Sequence, residues 1–280
     1  MIAFDSYSYS QKDNENRVKG ILQHADFKHN FREILSFILG IIDLTSLEGP
    51  DNKSKMLAFS KKASGFDVFG REKIYPAAVC VYTPFVHLLK KALADTPVNI
   101  ASVAGYFPSG QAPLHIKTEE VKYAIDQGAD EIDMVINRGK VLEGNINCVF
   151  EEIVAVKNIC QKVHLKVILE TGELESIENI RKASEIAINA GADFIKTSTG
   201  KIQPAATKEA TLVMMDTISE YFQKTGKKVG IKPAGSISDP ETALQYFYLV
   251  KEILGKEWLH KDYFRIGASR LADQILKELL

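Results

Sequence analysis

Residues 194–200 read FIKTSTG, a short β-prone run that follows a segment with helical periodicity and ends in a glycine. Seven more runs of this kind alternate with helical segments along the chain. This alternation predicts parallel strands joined by crossover helices, and eight units predict closure into a TIM (β/α)8 barrel, with a doubly wound sheet as the alternative. The other seven runs are GIIDLT (40–45), AAVCVY (77–82), VNIASVAG (98–105), EIDMVIN (131–137), LKVILETG (165–172), VGIKPAG (229–235) and FRIGAS (264–269).

The chain is expected to form one domain over residues 1–280, because no low-complexity or linker-like stretch divides it. Residues 1–39 form a polar N-terminal extension with a helix around FKHNFREILSFILG (27–40). Farther along, Asp239 before Pro240 is the pattern of a helix N-cap and first turn.

Composition points to a small-molecule partner. With 45% hydrophobic residues, 25% charged residues and a net charge of -1, the chain has no electrostatic reason to bind nucleic acid or an anionic membrane. The three cysteines, Cys80, Cys148 and Cys160, form neither an even disulfide framework nor a CxxC pair. Together with the lack of a signal-like N-terminus and of a long apolar run, they favour the reducing cytoplasm. Oligomeric state is left open, and a homo-oligomer is compatible with the sequence.

Charged residues lie within strands that a barrel should bury. Asp133, Lys166, Glu170, Lys196 and Lys232 all fall inside the predicted runs. Buried charges cost several kcal/mol unless paired, so they indicate either structural salt bridges or a functional site. Because catalytic residues of barrels lie at the C-terminal ends of strands, we expect Asp133, Lys196 and Lys232 to meet at the barrel mouth.

Several other chemistries lack their motifs. The six histidines show no HxH or HExxH spacing, so no metal site is predicted. The string GASRL lacks the closing glycine of a GxSxG nucleophile turn, and STGKI lacks the upstream glycine of a phosphate-binding P-loop.

Two lysines on neighbouring strands point instead to covalent carbonyl chemistry. A nucleophilic lysine must lose its proton, and a second ammonium disfavours the charged form by roughly 3 kcal/mol at ~5 Å and an effective dielectric of ~20. Lys232 could disfavour the charged form of Lys196 in this way, or Lys196 could disfavour that of Lys232.

The motifs FIKTSTGK, VGIKPAG, FRIGAS, LKVILETGEL, EIDMVINRGK, VCVYTPFV and IDLTSL together resemble the deoxyribose-phosphate aldolase family, from about residue 40 to about residue 270. The resemblance implies a TIM barrel that uses a lysine Schiff base, with no metal and no cofactor. It implies reversible cleavage of 2-deoxy-D-ribose 5-phosphate, a phosphosugar, to acetaldehyde and D-glyceraldehyde 3-phosphate.

The resemblance also implies a role for each matching residue. Lys196 matches the Schiff-base lysine, Lys232 the lysine that perturbs it, and Asp133 the acid that works with a water. Lys166 is expected to orient Asp133, and Cys80 either contacts substrate or packs as a small hydrophobe. The expected substrate-binding residues are Cys80, Asp43, Thr45, Lys166, Thr199, Gly200, Lys201, Gly235, Ser236, Gly267 and Ser269.

The chain departs from the family pattern in the phosphate region. Ser236 replaces the second glycine of KPAGG, and Arg270 replaces a small residue after GAS. Arg270 either turns inward to the phosphate or lies on the solvent face of the last helix. The chain ends in Leu280 rather than the tyrosine of some members. The other hypotheses are a different Schiff-base barrel, such as a transaldolase-like aldolase, and a non-catalytic phosphosugar-binding barrel.

Overall fold

Eight parallel strands form a barrel in the computed structural model, which describes residues 1–68 and 73–280. The strands are hydrogen-bonded in the order β7-β6-β5-β4-β3-β2-β1-β8, and bridges from Ile231 to Phe264 and from Ala234 to Gly267 join the two ends. The predicted TIM barrel is therefore confirmed over the doubly wound alternative. The strands are β1 (Ile42–Thr45), β2 (Ala78–Val81), β3 (Asn99–Ala104), β4 (Glu131–Val135), β5 (His164–Ile168), β6 (Phe194–Lys196), β7 (Gly230–Lys232) and β8 (Ile266–Ala268).

Helices alternate with the strands, and several of them begin at a side-chain N-cap. Asp239 accepts a hydrogen bond from the backbone of Thr242, and Pro240 follows it in the first turn, as the sequence predicted. The helices are α1 (Gln11–His24), α2 (Phe31–Gly40), α3 (Lys53–Ala63), α4 (Val86–Ala92), α5 (Leu114–Asp126), α6 (Arg138–Leu142), α7 (Ile146–Cys160), α8 (Ile177–Asn189), α9 (Lys208–Thr225), α10 (Pro240–Ile253) and α11 (Leu271–Leu279).

Strands β5 to β7 end earlier than their sequence runs suggested. The backbone turns into the left-handed region at Glu170 (φ 55°), Gly200 (φ 78°) and Gly235 (φ 79°). Residues in this conformation cannot continue a ladder, so the C-terminal parts of these runs form loops over the barrel. The sequence therefore overestimated the length of these three strands at their C-terminal ends, next to the candidate site.

Each strand presents alternate residues to the helices and to the barrel interior. On β4, Ile132 and Met134 belong to the large apolar core under the helices, whereas Asp133 points to the opposite side. The charged residues of the strands therefore share the interior. A second, smaller apolar cluster, which includes Cys80 and Val103, fills the part of the interior near β2 and β3.

The N-terminal extension contains a helix that the sequence analysis missed. The helix expected at 27–40 is shorter, as α2, and α1 precedes it and packs against α9 and α10. Asp216 on α9 accepts hydrogen bonds from Tyr7 and Arg17, and the Ser10–Asp13 capping box starts α1. That box was a usable signal in the sequence. In residues 1–68 and 73–280, no helix combines the length and the apolar character needed to span a bilayer.

Candidate active site

The structure brings Lys196, Lys232 and Asp133 into direct contact. Lys196 lies opposite Lys232 in the β6–β7 register, so both side chains leave their strands at one level. Lys196 Nζ donates to Asp133 Oδ2 at 2.8 Å, and Lys232 Nζ donates to the same oxygen at 2.6 Å. The exposed fractions of the three residues are only 3%, 0% and 0%. The two amines thus share a single carboxylate oxygen inside the barrel.

A second layer of charge supports this contact from below. Lys166 Nζ donates to Asp133 Oδ1 at 2.9 Å and also to Glu131. Arg265, just before β8, donates to Asp43 Oδ1 at 2.6 Å and to Glu131 Oε1 at 2.8 Å. Each carboxylate is therefore held by at least two cations, which gives the buried network a fixed geometry.

The network holds one more basic group than acidic groups. Lys232 donates to Asp43 as well as to Asp133, whereas Lys196 has only the oxygen that it shares with Lys232. Lys196 is therefore the least compensated base of the network. The basic members are Lys166, Lys196, Lys232 and Arg265, and the acidic members are Asp43, Glu131 and Asp133.

The electrostatics fix the charge of two members. Burial opposes ionisation of Asp133, but the three neighbouring ammonium groups outweigh it and hold the pKa of this carboxyl well below its usual range. Burial also disfavours the charged form of Lys232, but the carboxylates of Asp133 and Asp43 outweigh that effect and raise the pKa of Lys232. At neutral pH, Asp133 is thus an anion and Lys232 a cation.

A cavity of about 420 Å³ opens above the network at the C-terminal ends of the strands. Lys196 lines this cavity, while Lys232 lies fully buried beneath it. Of the two lysines, Lys196 is therefore the one whose side chain lies on the wall of the cavity. The predicted site residues that line the cavity are Thr45, Lys196, Thr199, Gly200, Lys201, Gly235, Ser236, Gly267 and Ser269. Those buried below it are Asp43, Cys80, Asp133, Lys166 and Lys232.

Sequence reasoning missed two members of the network, Glu131 and Arg265. Glu131 lies two residues before Asp133, on the same face of β4, so the spacing EID was a signal for it. Arg265 is the second residue of the run FRIGAS, and only 1% of its surface is exposed. Nothing local in FRIGAS predicts its two carboxylate partners.

Cys80 lies at the edge of the network. Its Sγ is 3.8 Å from Asp133 Oδ2, and its side chain packs in the small cluster with Ala101 and Val103. Burial, with a contribution from Asp133, raises the pKa of the Cys80 thiol to about 11. Cys80 is therefore a protonated thiol in the wall of the interior.

The loops after β6, β7 and β8 form the other end of the cavity. In the part of the chain that the structure describes, the backbone N–H groups of Gly200, Gly235 and Ser269 donate no hydrogen bond. Lys201 and Arg270 also line this end, and Lys201 Nζ lies 3.2 Å from Glu48. Unpaired amides beside cationic side chains form a place where an anion can bind.

Close packing of two loops requires glycine at position 235. A Cβ atom there would lie 2.6 Å from the Cβ of Ala205 and 3.3 Å from Gly200 Cα. The next residue, Ser236, also has a positive φ, of 61°, and its hydroxyl donates to Gln203 Oε1 at 3.2 Å. The departure at Ser236 thus keeps the left-handed backbone and adds a hydrogen bond across the rim.

Two larger grooves, of about 800 and 790 Å³, lie outside the barrel beside α1 and α10. They are lined by residues of the helix surfaces, so the strand-end cavity, with Lys196 on its wall, is the better candidate for chemistry. Over residues 1–68 and 73–280, no group of three or more His, Cys, Asp and Glu side chains is arranged to hold a metal ion.

Comparisons with known proteins place the chain among the aldolases. The model of the DeoC/LacD family aldolases matches residues 37–245. The chain is 45% identical over 251 residues to the deoxyribose-phosphate aldolase of Mus musculus and 44% identical over 249 residues to that of Homo sapiens. Each alignment covers 85% of this chain and 78% of the relative.

A solved structure of the deoxyribose phosphate aldolase from Aeropyrum pernix shares the fold, with a TM-score of 0.67 and 22% identity over 94% of this chain and 97% of that one. A TIM barrel with these relatives defines the class: the protein is an aldolase, a carbon–carbon lyase. Within that class, the chain belongs to the DeoC/LacD family.

Proposed function

We propose that the protein catalyses the reversible cleavage of 2-deoxy-D-ribose 5-phosphate to D-glyceraldehyde 3-phosphate and acetaldehyde, through a Schiff base on Lys196. The names of the mammalian relatives support the substrate. The observation that carries the mechanism is the position of Lys196, the strand-end amine that, within residues 1–68 and 73–280, both lines the cavity and contacts Asp133. We also propose that the reaction needs no metal.

The chemistry follows from the nucleophilic amine. Neutral Lys196 adds to the C1 aldehyde of the open-chain sugar, and loss of water gives an iminium ion. Cleavage of the C2–C3 bond sends its electron pair toward the iminium to form an enamine, while the C3 hydroxyl loses its proton and becomes the aldehyde of D-glyceraldehyde 3-phosphate. Protonation of the enamine and hydrolysis then release acetaldehyde and restore Lys196.

The buried partners of Lys196 are suited to proton transfer. Asp133 is a carboxylate 2.8 Å from the amine, and it can hold a water that passes a proton from the C3 hydroxyl to the enamine. Lys232 stays cationic and shares the oxygen of Asp133, so a like charge lies beside the proposed nucleophile. Lys166 holds the other oxygen of Asp133 and fixes its orientation.

The phosphate group is assigned to the opposite end of the cavity. Backbone amides at Gly200, Gly235 and Ser269 have no intrachain acceptor among the described residues, and phosphate oxygens can accept from them. Lys201 supplies a charge there, and Arg270 lies on the same wall, where its guanidinium forms no hydrogen bond within residues 1–68 and 73–280. We infer that Arg270 turns to the phosphate when substrate binds.

The three cysteines are unpaired thiols, which supports our proposal that the protein works in the reducing cytoplasm.

A turnover assay with 2-deoxy-D-ribose 5-phosphate tests the activity, and reductive trapping tests the mechanism. Acetaldehyde with borohydride should attach an ethyl group to Lys196, which peptide mass mapping would locate. Excess chelator should leave turnover unchanged. A non-catalytic phosphosugar-binding barrel would show neither turnover nor labelling, whereas a transaldolase-like enzyme would label Lys196 but cleave a ketose phosphate instead.

A further inference from the structure

Glu170 is a buried carboxylate that takes no part in the charge network. It lies two residues beyond β5 with 0% of its surface exposed, and no lysine or arginine of residues 1–68 and 73–280 forms an ion pair with it. Its φ of 55° is a left-handed value that residues with side chains rarely adopt. A buried acid in this conformation points to a functional constraint at this position.

Both carboxylate oxygens of Glu170 accept hydrogen bonds from one residue of the neighbouring loop, Thr199. Its Oε1 accepts from the backbone N–H of Thr199 at 3.1 Å, and its Oε2 accepts from the Thr199 hydroxyl. The hydroxyl oxygen in turn accepts from the backbone N–H of Lys201 at 3.1 Å. A continuous chain of hydrogen bonds therefore runs from Glu170 through Thr199 to Lys201.

These hydrogen bonds from Glu170 through Thr199 to Lys201 determine which groups of the loop face the cavity. The N–H groups of Thr199 and Lys201 are turned inward to their acceptors, which leaves the N–H of Gly200 between them for a ligand. Both neighbours of Gly200 line the cavity as well. The orientation of this three-residue turn thus depends on a single buried carboxylate.

We propose that Glu170 is a positioning residue for recognition of the substrate phosphate, because it fixes the turn 199–201 that presents Gly200 and Lys201 to the anion. This inference rests on the proposed function and deepens it. Glu170 does not touch the substrate. It sets the preference for a phosphorylated sugar over the same sugar without phosphate.

The test compares kcat and KM for 2-deoxy-D-ribose 5-phosphate and for unphosphorylated 2-deoxy-D-ribose. Glu170→Gln keeps the shape of the side chain but places an amide nitrogen where one carboxylate oxygen was. We expect the ratio of the two kcat/KM values to fall about tenfold, mainly through KM of the phosphorylated sugar, because a misplaced binding group loses much of its effect. Thr199→Val breaks the hydroxyl link and should change the ratio in the same direction.

The double variant Glu170→Gln/Thr199→Val shows whether the two residues act through the same hydrogen bonds or independently of each other. If Glu170 acts through Thr199, the double variant should lose little more than the more severe single variant. Glu175→Gln is the matched control, because it makes the same change at an exposed glutamate of the same loop. It should keep the parent ratio.

If Glu170→Gln lowers kcat/KM equally for both sugars, Glu170 supports only the fold. If the ratio and both kcat/KM values are unchanged, Glu170 has no measurable role in catalysis or binding. If Glu170→Gln does not fold, an unchanged ratio in Thr199→Val would overturn the inference. A parent protein that shows no preference for the phosphorylated sugar would refute the proposed function itself. A preference in the parent that both variants retain would refute only the role of Glu170.

Discussion

Lys196 and Lys232 donate to the same carboxylate oxygen, Oδ2 of Asp133, at 2.8 and 2.6 Å. The shared acceptor keeps two amines close together in the barrel interior, although one carboxylate can compensate only one positive charge fully. Lys232 has a second carboxylate in Asp43, and Lys196 does not. This asymmetry distinguishes the buried cation from the amine at the cavity wall.

Replacing Lys232 tests this relationship. Lys232→Met keeps an unbranched side chain but removes the positive charge that shares Asp133 Oδ2 with Lys196, and with it the like-charge repulsion that we propose helps Lys196 to react. We expect trapping of acetaldehyde at Lys196 to require a higher pH than in the parent. The measurement is the labelled fraction at Lys196 across a pH series. An unchanged profile would exclude Lys232 as the perturbing charge, and Lys162→Met, at an exposed lysine, is the control.

Arg270 should contribute to phosphate recognition. If its guanidinium reaches the phosphate, Arg270→Ala should reduce the preference for 2-deoxy-D-ribose 5-phosphate over 2-deoxy-D-ribose by about 1.5–3 kcal/mol, the usual worth of a hydrogen bond to a charged group. The ratio of the two kcat/KM values measures this change. Lys277→Ala removes another exposed cation from the same helix and should not alter the ratio. An equal result for both variants would leave phosphate recognition to Lys201 and the backbone amides.

Glu131 should make stability depend on acid pH. Burial opposes its ionisation, but Lys166 and Arg265 outweigh that effect and lower the pKa of Glu131 in the folded state. Its stabilising contribution is therefore complete above the unfolded pKa of about 4.3 and is lost as pH falls through the lower folded value. Glu131→Gln should cost about 3–5 kcal/mol at pH 7, because it leaves buried cations underpaired.

Denaturant unfolding at several pH values would measure this dependence. The gap in unfolding free energy between parent and Glu131→Gln should be constant at neutral pH and should narrow below about pH 4. Glu143→Gln, at an exposed glutamate, is the control and should show almost no gap. A gap that widens in acid would contradict the lowered pKa of Glu131.

Gly235 should be intolerant of a side chain for reasons of space. Gly235→Ala places a Cβ atom 2.6 Å from Ala205, whereas Gly226→Ala adds one at a similar φ with no atom within 4 Å. Both variants carry the cost of a left-handed alanine, but only the first crowds its neighbours. We expect Gly235→Ala to lose about 1–3 kcal/mol more stability than Gly226→Ala, as measured by denaturant unfolding. Similar losses would mean that the loops can move apart.

The sequence alone predicted the barrel and the strand that carries each of the main site residues. Hydrophobic periodicity and helix caps are local properties, so they can be read without knowledge of distant partners. The run FIKTSTG assigned Lys196 to the sixth strand, and the structure ends that strand at Lys196. Local signals overestimated the strands at Gly200 and Gly235, because a run of β-prone residues does not show where the backbone leaves the sheet.

Only the tertiary structure decided how the charges are paired. Arg265 contacts Asp43 and Glu131 across separations of 222 and 134 residues. Barrel closure places β8 beside β1, which brings Arg265 to Asp43, and Glu131 on β4 is reached across the barrel interior. Glu170 was visible as a charge near a strand, but its partner Thr199 is set by the turn after β5 and the loop after β6. Side-chain alternation in each strand and the register between strands together determine which buried groups meet. Alternation is a local property, but the register depends on pairing between strands that are distant in sequence.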